Sequence, residues 1–400
     1  IMAYLIEDSG GIFNYFAYFF IFSLGFLISG YFANIFKVKL LRAYVIYLWH
    51  TLFAIFYGWY TINFGGDSVQ YYLEALYGEY TDVPIGIGTV GVAYLVGFLF
   101  DYLNLNFFAI CLVFNIFGTI GLLGFDGCLA ILISRKTLMY RWLLSVYIFL
   151  PSISFWSAGI GKDSISFMAI GFALFASTNV NRHFVMLVWS ILLMLFVRPH
   201  IAAILFASFS IAYLFSSRVS RSARTLGLIT IGISTLFLAP FVYNYIGFES
   251  FDLETLQEYV ELRQGYNAND ASGVNLSEMS FLSQLSSYLF RPSLIEGLSM
   301  GIFGLVSAAE NTLLIILAII AFYNIIFRSH LTRMNRSKQD FSLIFLASHS
   351  LVTWTILAIT TANIGIAIRQ KWMFVPMIII FLMIFIGEKR ANNIQTDDGK

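Results

Sequence analysis

Runs of about 20 consecutive apolar residues recur along the whole chain, and each is long enough to cross the hydrocarbon core of a bilayer. Apolar residues make up 59% of the sequence and charged residues only 11%, and the mean hydropathy is +0.81. A soluble domain carries about a quarter charged residues, so a chain this apolar cannot hide its side chains in one aqueous core. The composition therefore predicts an all-α, polytopic integral membrane protein, because helices satisfy their own backbone hydrogen bonds in lipid.

The apolar runs predict about eleven transmembrane helices in a single domain over residues 1–400. Two longer runs, 142–178 and 184–216, are interrupted by polar residues and predict helical hairpins with tips at 155–163 and 198–200. Residues 86–103 are also apolar, but a full span there would invert the topology downstream, so we interpret them as a re-entrant or interfacial segment. Single spans are predicted at roughly 11–35, 43–63, 105–132, 226–246, 300–327, 341–361 and 372–387.

The distribution of Lys and Arg sets the predicted orientation, since short cytoplasmic loops are enriched in these residues. Seventeen of the 23 Lys and Arg residues fall on one face if the N-terminus is outside and the C-terminus is cytoplasmic. Apart from Arg182, they cluster at 37–42, 135–141, 218–224, 328–338 and 389–400. The alternation holds at every predicted span, which favours this orientation.

Six basic residues remain on the predicted outer side. Positive charge costs about 2.5–3.5 kcal/mol near the centre of a spanning helix. Any one of these side chains could extend to lipid phosphates, whereas the six together indicate a polyanionic ligand such as phosphate or pyrophosphate. The net charge of +1 and the lack of a basic arm give no indication of nucleic-acid binding. The six are Lys162, Arg198, Arg263, Arg291, Arg369 and Lys371.

Two predicted outer segments are long, 64–104 and 247–299. The first opens with two glycines that permit a tight turn before Asp67. A carboxylate at the membrane boundary can act as a general base, and the alternative is that Asp67 only caps a helix. The second is a large outer loop in which 251–262 predicts an amphipathic helix lying over the membrane. Loops of this length often serve as lids or binding loops.

Polar residues at the predicted span breaks also have two interpretations each. The adjacent Lys162 and Asp163 could line a wet cavity, or they could form a self-neutralising pair in a simple hairpin turn. Trp156 could belong to a site or to the aromatic belt at the membrane interface. Glu310 lies within a span, and we expect it to face the bundle interior and to pair with one of the arginines. His200 is the only histidine predicted outside.

Four short runs resemble those of bacterial O-antigen and exopolysaccharide polymerases (Wzy-like) and related GT-C-type membrane glycosyltransferases. The resemblance extends over most of the chain. It implies transfer of a glycan from a polyprenyl-pyrophosphate carrier to a sugar hydroxyl at the outer face of the bacterial cytoplasmic (inner) membrane. A chain-length regulator or other envelope assembly proteins are candidate partners. The runs are Phe155-Trp156-Ser-Ala-Gly-Ile-Gly-Lys162-Asp163, Arg198-Pro199-His200, Phe290-Arg291-Pro292 and Gly365-Ile-Ala-Ile-Arg369-Gln-Lys-Trp.

That chemistry needs cations at a pyrophosphate leaving group and a carboxylate that takes the proton of the acceptor hydroxyl. The predicted base is Asp67, with Asp163 and Glu310 in reserve. No metal or cofactor is predicted, because the sequence holds no Cys/His ligand set and no Walker or HExxH motif. Replacement of Arg291 or Arg369 by Ala is expected to abolish polymer. The predicted pyrophosphate- and glycan-binding residues are Lys162, Arg198, His200, Arg263, Arg291, Arg369, Lys371, Trp156 and Tyr71.

Two other functions remain open from the sequence. A lipid-linked oligosaccharide flippase or polysaccharide exporter would line a continuous path with cations and would not need Asp67. A non-catalytic scaffold of an envelope assembly would tolerate the replacement of any single outer charge.

Overall fold

The computed structural model describes residues 11–133, 138–216, 219–246, 253–268, 273–274, 279–327 and 336–386. Over these ranges the chain is almost entirely helical and forms no β-sheet; its only β-type pairing there is an isolated antiparallel bridge between Gly273 and Asn363. The predicted all-α class is confirmed. Many basic residues that set the predicted orientation lie outside these ranges, at 135–136, 218, 328–333 and 389–400, as do 247–252, 269–272 and 275–278 of the large outer loop.

We number the described helices α1 to α18 in chain order. A short 3₁₀ turn, Lys371–Met373, joins the last two. The helices are α1 Ile12–Phe36, α2 Leu40–Phe64, α3 Asp67–Leu76, α4 Thr89–Asp101, α5 Phe107–Ile133, α6 Leu138–Ser145, α7 Pro151–Ala158, α8 Lys162–Thr178, α9 Val180–Val197, α10 Pro199–Phe215, α11 Arg221–Ile246, α12 Leu253–Ala268, α13 Phe281–Phe290, α14 Leu294–Ser299, α15 Gly301–Phe327, α16 Arg336–Thr360, α17 Ile364–Gln370 and α18 Val375–Ile384.

Six of the described helices are long and apolar enough to cross a membrane: α1, α2, α5, α9, α15 and α16. Two bent pairs raise the number to eight if each pair forms one span, and these are α7 with α8, bent by 117°, and α17 with α18, bent by 57°. The chain is therefore a helical membrane protein, while the count of eleven crossings stays a prediction.

Helix α4, within the segment predicted to be re-entrant or interfacial, has 13 residues. At 1.5 Å per residue it is about 20 Å long, shorter than the hydrocarbon core of about 30 Å.

The helical structure is interrupted at both predicted hairpin tips. Helix α7 ends at Ala158 and α8 begins at Lys162, after Gly161 with a φ of +152° that favours glycine. Helix α9 ends at Val197, and Arg198 has a non-helical backbone before Pro199 opens α10. Proline suits a first helical turn because the N–H that it lacks would have no intrahelical partner there. These breaks place polar residues between apolar helices.

Close packing of α5 against α8 forms the centre of the bundle, and α5 is the most buried of the six described spanning helices. Gly124 of α5 lies against the backbone of Gly171 in α8, where an added Cβ would come within 2.6 Å of the Gly171 oxygen. Small residues at such a crossing let two helix backbones approach closely in lipid, where packing rather than the hydrophobic effect holds helices together.

Replacing Gly171 with Leu should therefore push α5 and α8 apart and destabilise the fold by about 1–3 kcal/mol. The matched control is Gly232→Leu in α11, where no atom lies within 4 Å of an added Cβ. We expect thermal unfolding in detergent to show a lowered midpoint for Gly171→Leu alone. Equal midpoints for the two variants would contradict this account of the α5–α8 crossing.

Candidate functional site

Four charged side chains from distant parts of the chain form one connected cluster, which we call the outer ion-pair cluster: Asp67, Asp163, Arg198 and Arg369. The guanidinium of Arg369 donates to Asp67 at 2.7 Å and also to Asp163. Arg198 donates to the other carboxylate oxygen of Asp163. Asp67 and Arg369 are 302 positions apart, so only the tertiary fold brings them together.

Glycine turns set the two acids of this cluster at the starts of helices. Gly65 and Gly66 have φ values of +83° and +151° and lead into Asp67, the first residue of α3. Gly161 leads in the same way into Lys162 and Asp163 at the start of α8. The N–H groups of a first helical turn carry partial positive charge, which stabilises a carboxylate there.

Two further helix N-termini reach the same place. Lys162 Nζ donates to Thr89 Oγ1 at 2.9 Å, and Thr89 is the first residue of α4. Arg198 is the residue that precedes α10 and is 7% exposed. The ends of α3, α4, α8 and α10 therefore meet around the cluster, and helix N-termini of this kind favour bound anions.

The charges at this point are unbalanced in favour of cations. Lys162 interacts electrostatically with Arg198, Arg369 and both acids, so three cations face the two carboxylates. Arg198 Nε is buried and has no hydrogen-bond partner, although Nη2 of the same guanidinium donates to Asp163. A buried donor without a partner lowers the stability of a folded protein, and a ligand oxygen could accept its hydrogen bond. The cluster thus has both surplus positive charge and an unused donor.

Aromatic side chains surround the cluster. The ring of Trp156 lies 6.0 Å from the Arg369 guanidinium, so Trp156 borders the cluster. Tyr71 is buried beside Thr89, and its pKa is raised chiefly by that burial and also by the carboxylate of Asp67. Tyr288 is also buried, and its hydroxyl has no partner although it lies within electrostatic range of Arg198.

His200 and Arg263 lie at the same end of the bundle. His200 interacts electrostatically with Arg198, Arg263 and Lys162. Arg263 is in α12, where its guanidinium lies 5.2 Å from the Tyr259 ring, and the next residue, Gln264, donates to the Ile359 carbonyl at 2.7 Å. The described part of the large outer loop therefore packs on the end of α16, just before the helix that carries Arg369. Its helix runs to Ala268, six residues past the predicted end at 262, and 251–252 lie outside the described residues.

Glu310 is buried as predicted, but the predicted arginine partner is wrong for the described residues. One oxygen of Glu310 accepts the backbone N–H of Ser152 at 2.8 Å and the other has no partner. The cation that acts on it is Lys371, which is 2% exposed and donates to Asn311 at 2.6 Å. Arg291 and Arg369 bind other acids, Glu296 in the first case and Asp67 and Asp163 in the second. Glu310, Asn311 and Lys371 thus form a second, separate polar cluster.

Arg291 lies apart from both Asp67 and Asp163. It pairs with Glu296 at 2.7 Å, and both side chains are about one third exposed. Glu296 also accepts the backbone N–H of Ser293 in a capping box at the start of α14. The Ser293 N–H is the main cause, and Arg291 a further one, of a lowered pKa of Glu296. Arg291 therefore has a structural partner of its own, and the fold does not bring it into the outer ion-pair cluster.

Two of the structural alternatives from the sequence are wrong. Gly66, not Asp67, is the N-cap of α3, and the Asp67 carboxylate binds Arg369 instead of capping the helix. Lys162 and Asp163 form no mutual ion pair, since Lys162 bonds Thr89 while Asp163 binds the two arginines. The reason is geometric: both begin α8, and neighbouring residues on a helix point in different directions.

The side chains of the two acids differ in their exposure to solvent. The Asp163 side chain is 15% exposed and is held between two guanidinium groups, whereas the Asp67 side chain is 49% exposed. Asp67 can therefore meet an incoming hydroxyl, while Asp163 fixes the positions of Arg198 and Arg369. Sequence reasoning missed Thr89, Tyr288 and the hydroxyl pair of Tyr57 and Ser68, which are 2.9 Å apart beneath the cluster. The parallel Gly-Asp-Ser and Gly-Lys-Asp-Ser turns at 66–68 and 161–164 could have indicated a shared site.

Among the described residues, no three His, Cys, Asp or Glu side chains are grouped closely enough to hold a metal ion. We compared the chain with models of protein families, with curated proteins and with solved structures, and none of the three comparisons found a match.

Proposed function

We propose that this protein transfers or polymerises polyprenyl-pyrophosphate-linked oligosaccharide units at the outer face of a bacterial cytoplasmic membrane. The observation that supports it best is the meeting of Lys162, Arg198 and Arg369 at four helix N-termini, within a bundle of membrane-spanning helices. A pyrophosphate on a lipid is a polyanion at the membrane boundary. A guanidinium group can bind phosphate oxygens with two parallel hydrogen bonds, which strengthen the binding and fix the orientation of the ligand.

The topology that goes with this function has about eleven crossings, an outer N-terminus and a cytoplasmic C-terminus. Asp67, Thr89, Lys162 and Arg198 then all lie on the outer side. Helix α4 is a re-entrant or interfacial segment in this scheme, which its length of 13 residues supports. Lipid-linked donor and acceptor would both reach the outer ion-pair cluster from the outer leaflet.

The reaction assigned to the cluster is an inverting glycosyl transfer. The acceptor hydroxyl attacks the anomeric carbon of the donor sugar and gives its proton to the Asp67 carboxylate. The bond between that carbon and the pyrophosphate oxygen breaks, and the electron pair leaves with the pyrophosphate. Arg198, Arg369 and Lys162 stabilise the negative charge that develops on the leaving oxygen. Asp163 is a positioning residue, because it touches both guanidinium groups and is buried behind them.

Replacing Asp67 with Asn should lower the rate of glycan transfer by about 100- to 10,000-fold, the usual contribution of a general base. Binding of polyprenyl pyrophosphate should persist, because the cations stay in place. The matched control is Asp82→Asn, an exposed acid of the same outer segment, and it should transfer glycan at the wild-type rate. Transfer assays with purified protein and lipid-linked donor would check both variants, and a normal rate for Asp67→Asn would remove Asp67 as the base.

The second polar cluster favours one alternative, a lipid-linked oligosaccharide flippase or exporter. Glu310 and Lys371 are both buried in the bundle interior, where charged side chains often mark a transport path. A flippase should lose lipid translocation in Glu310→Gln and should tolerate Asp67→Asn. The transfer function makes the opposite prediction for Asp67, so the two variants together separate the alternatives.

A further inference from the structure

An apolar groove lies next to the outer ion-pair cluster, between α2, α7, α15 and α17. It is a cavity of about 440 Å³ with mostly aromatic and aliphatic walls. Helix α2 contributes the rings of Phe53, Phe56 and Tyr60, and α15 contributes the residues around Phe303. The lining has no charged side chain and few polar groups, among them the hydroxyls of Ser152, Ser307 and Tyr60, so its ligand would be chiefly an apolar chain.

Two residues connect the groove with the outer ion-pair cluster. Trp156 lines the groove, and the same ring lies 6.0 Å from the guanidinium of Arg369. Ile368 of α17 also lines the groove, and the next residue in the chain is Arg369. One molecule with a charged head and an apolar chain could therefore occupy both places at once, with Trp156 at the junction.

Aromatic rings of α2 and α15 meet on one side of the groove. The Phe303 ring centre lies 6.2 Å from that of Phe56 and 5.1 Å from that of Tyr60. Phe303 is 45% exposed and Phe56 39% exposed, although both belong to membrane-spanning helices. The exposed faces of such helices contact lipid chains in a bilayer. A chain could enter sideways from the bilayer if the Phe303 side chain turned aside.

We infer that this groove holds the first units of the isoprenyl chain, next to the head group, of the lipid whose pyrophosphate binds the outer ion-pair cluster, and that Phe303 closes its lateral entrance. The inference deepens the proposed function and rests on it. Charge complementarity at the Arg369 end selects a lipid with an anionic head. A groove of about 440 Å³ has room for part of one chain, as an isoprenyl lipid has, and a glycerophospholipid would have to leave its second chain outside.

Packing rather than the hydrophobic effect must give the groove its selectivity. Lipid tails are as apolar as the groove walls, so moving a chain from the bilayer into the protein gains little from burial alone. Close contacts with the rings of Phe155 and Trp156 supply the attraction instead. Filling the groove should therefore weaken binding of the lipid and leave binding of a pyrophosphate without a chain unchanged.

The test fills the groove with Val306→Trp, since Val306 lines it on α15. The matched control is Ile319→Trp on the same helix, at a site 62% exposed and outside the groove. The probes are a C55 polyprenyl pyrophosphate and inorganic pyrophosphate, each titrated against purified protein. We expect Val306→Trp to lower the affinity for the polyprenyl pyrophosphate at least tenfold, with inorganic pyrophosphate unaffected and with the Ile319→Trp variant like the wild type.

The outcomes separate the groove from the proposed function. Wild-type protein that binds neither probe would overturn pyrophosphate recognition itself. Binding of both probes by Val306→Trp with wild-type affinity would overturn only the groove assignment. Should Val306→Trp not fold, Phe303→Ala replaces it. This variant removes the ring that closes the entrance, so the polyprenyl probe should dissociate faster than from the wild type while the binding of inorganic pyrophosphate stays unchanged. Displacement of the polyprenyl probe by excess phosphatidylglycerol would also overturn the inference, because the occupant would then be a bilayer phospholipid.

Discussion

Replacing Arg369 with Ala should lower glycan transfer by about 100- to 1,000-fold, the usual cost of losing one preorganised donor to a developing charge. Arg369 is the described residue that joins the two acids of the outer ion-pair cluster, since it donates to both Asp67 and Asp163. Under the proposed function, its loss removes one cation from the pyrophosphate and leaves Asp67 without its ion-pair partner. Arg369→Lys should fall between the wild type and Arg369→Ala, because an ammonium keeps the charge but loses the planar fork.

The matched control is Arg291→Ala, and here the structure changes what the sequence predicts. From the sequence, both arginines are cations at the outer ends of spans, and both replacements are expected to abolish polymer. The structure pairs Arg291 with Glu296, away from Asp67 and Asp163, in a partly exposed ion pair. Such pairs contribute about 0–1 kcal/mol, so Arg291→Ala should change transfer less than about tenfold. Equal loss in both variants, measured with purified protein and lipid-linked donor, would contradict the assignment of pyrophosphate binding to the cluster.

The spanning helices could be predicted from the sequence because the bilayer acts on composition directly. The run predicted at 43–63 corresponds to Leu40–Phe64, and the run at 300–327 corresponds to Gly301–Phe327. A helix in lipid must be apolar for about 20 residues, and a hydropathy pattern records that requirement whatever the neighbours are. The polar interruptions at 155–163 and 198–200 were predictable for the same reason, since a charge in such a run marks a break or a buried partner.

The pairing of charges could not be predicted, because it depends on which helix ends meet. Nothing local to Arg369 distinguishes it from Arg291, yet one binds two acids of the cluster and the other binds Glu296. The same limit explains why the partner of Glu310 was predicted wrongly. Its burial follows from its position in an apolar span, but its neighbour is Lys371 rather than an arginine because α17 turns into the bundle there. Burial is a property of one helix, whereas an ion pair is a property of two.

Replacing Asp163 with Asn should destabilise the protein by about 3–5 kcal/mol, the usual cost of removing one partner from a buried ion pair. Asp163 accepts from both Arg198 and Arg369, and its side chain is only 15% exposed. When the negative charge of Asp163 is lost, the positive charge of Arg198 stays without compensation in a poorly solvated place, since the Arg198 side chain is 9% exposed. Thermal or denaturant unfolding in detergent should show the loss directly. The matched control is Glu296→Gln, whose ion pair is about one third exposed and should contribute at most about 1 kcal/mol.

Pyrophosphate should restore part of the stability that Asp163→Asn loses. If the outer ion-pair cluster binds pyrophosphate, the ligand supplies negative charge to the same guanidinium groups that Asp163 neutralises. A ligand that binds only the folded state stabilises it by RT ln(1 + [L]/Kd), so the unfolding midpoint should rise with pyrophosphate concentration. The rise should be larger in Asp163→Asn than in Glu296→Gln, where Asp163 still neutralises part of the positive charge of the cluster. An equal rise in both variants would mean that the anion binds elsewhere, and an equal loss of stability without ligand would mean that Asp163 is not the buried centre of the cluster.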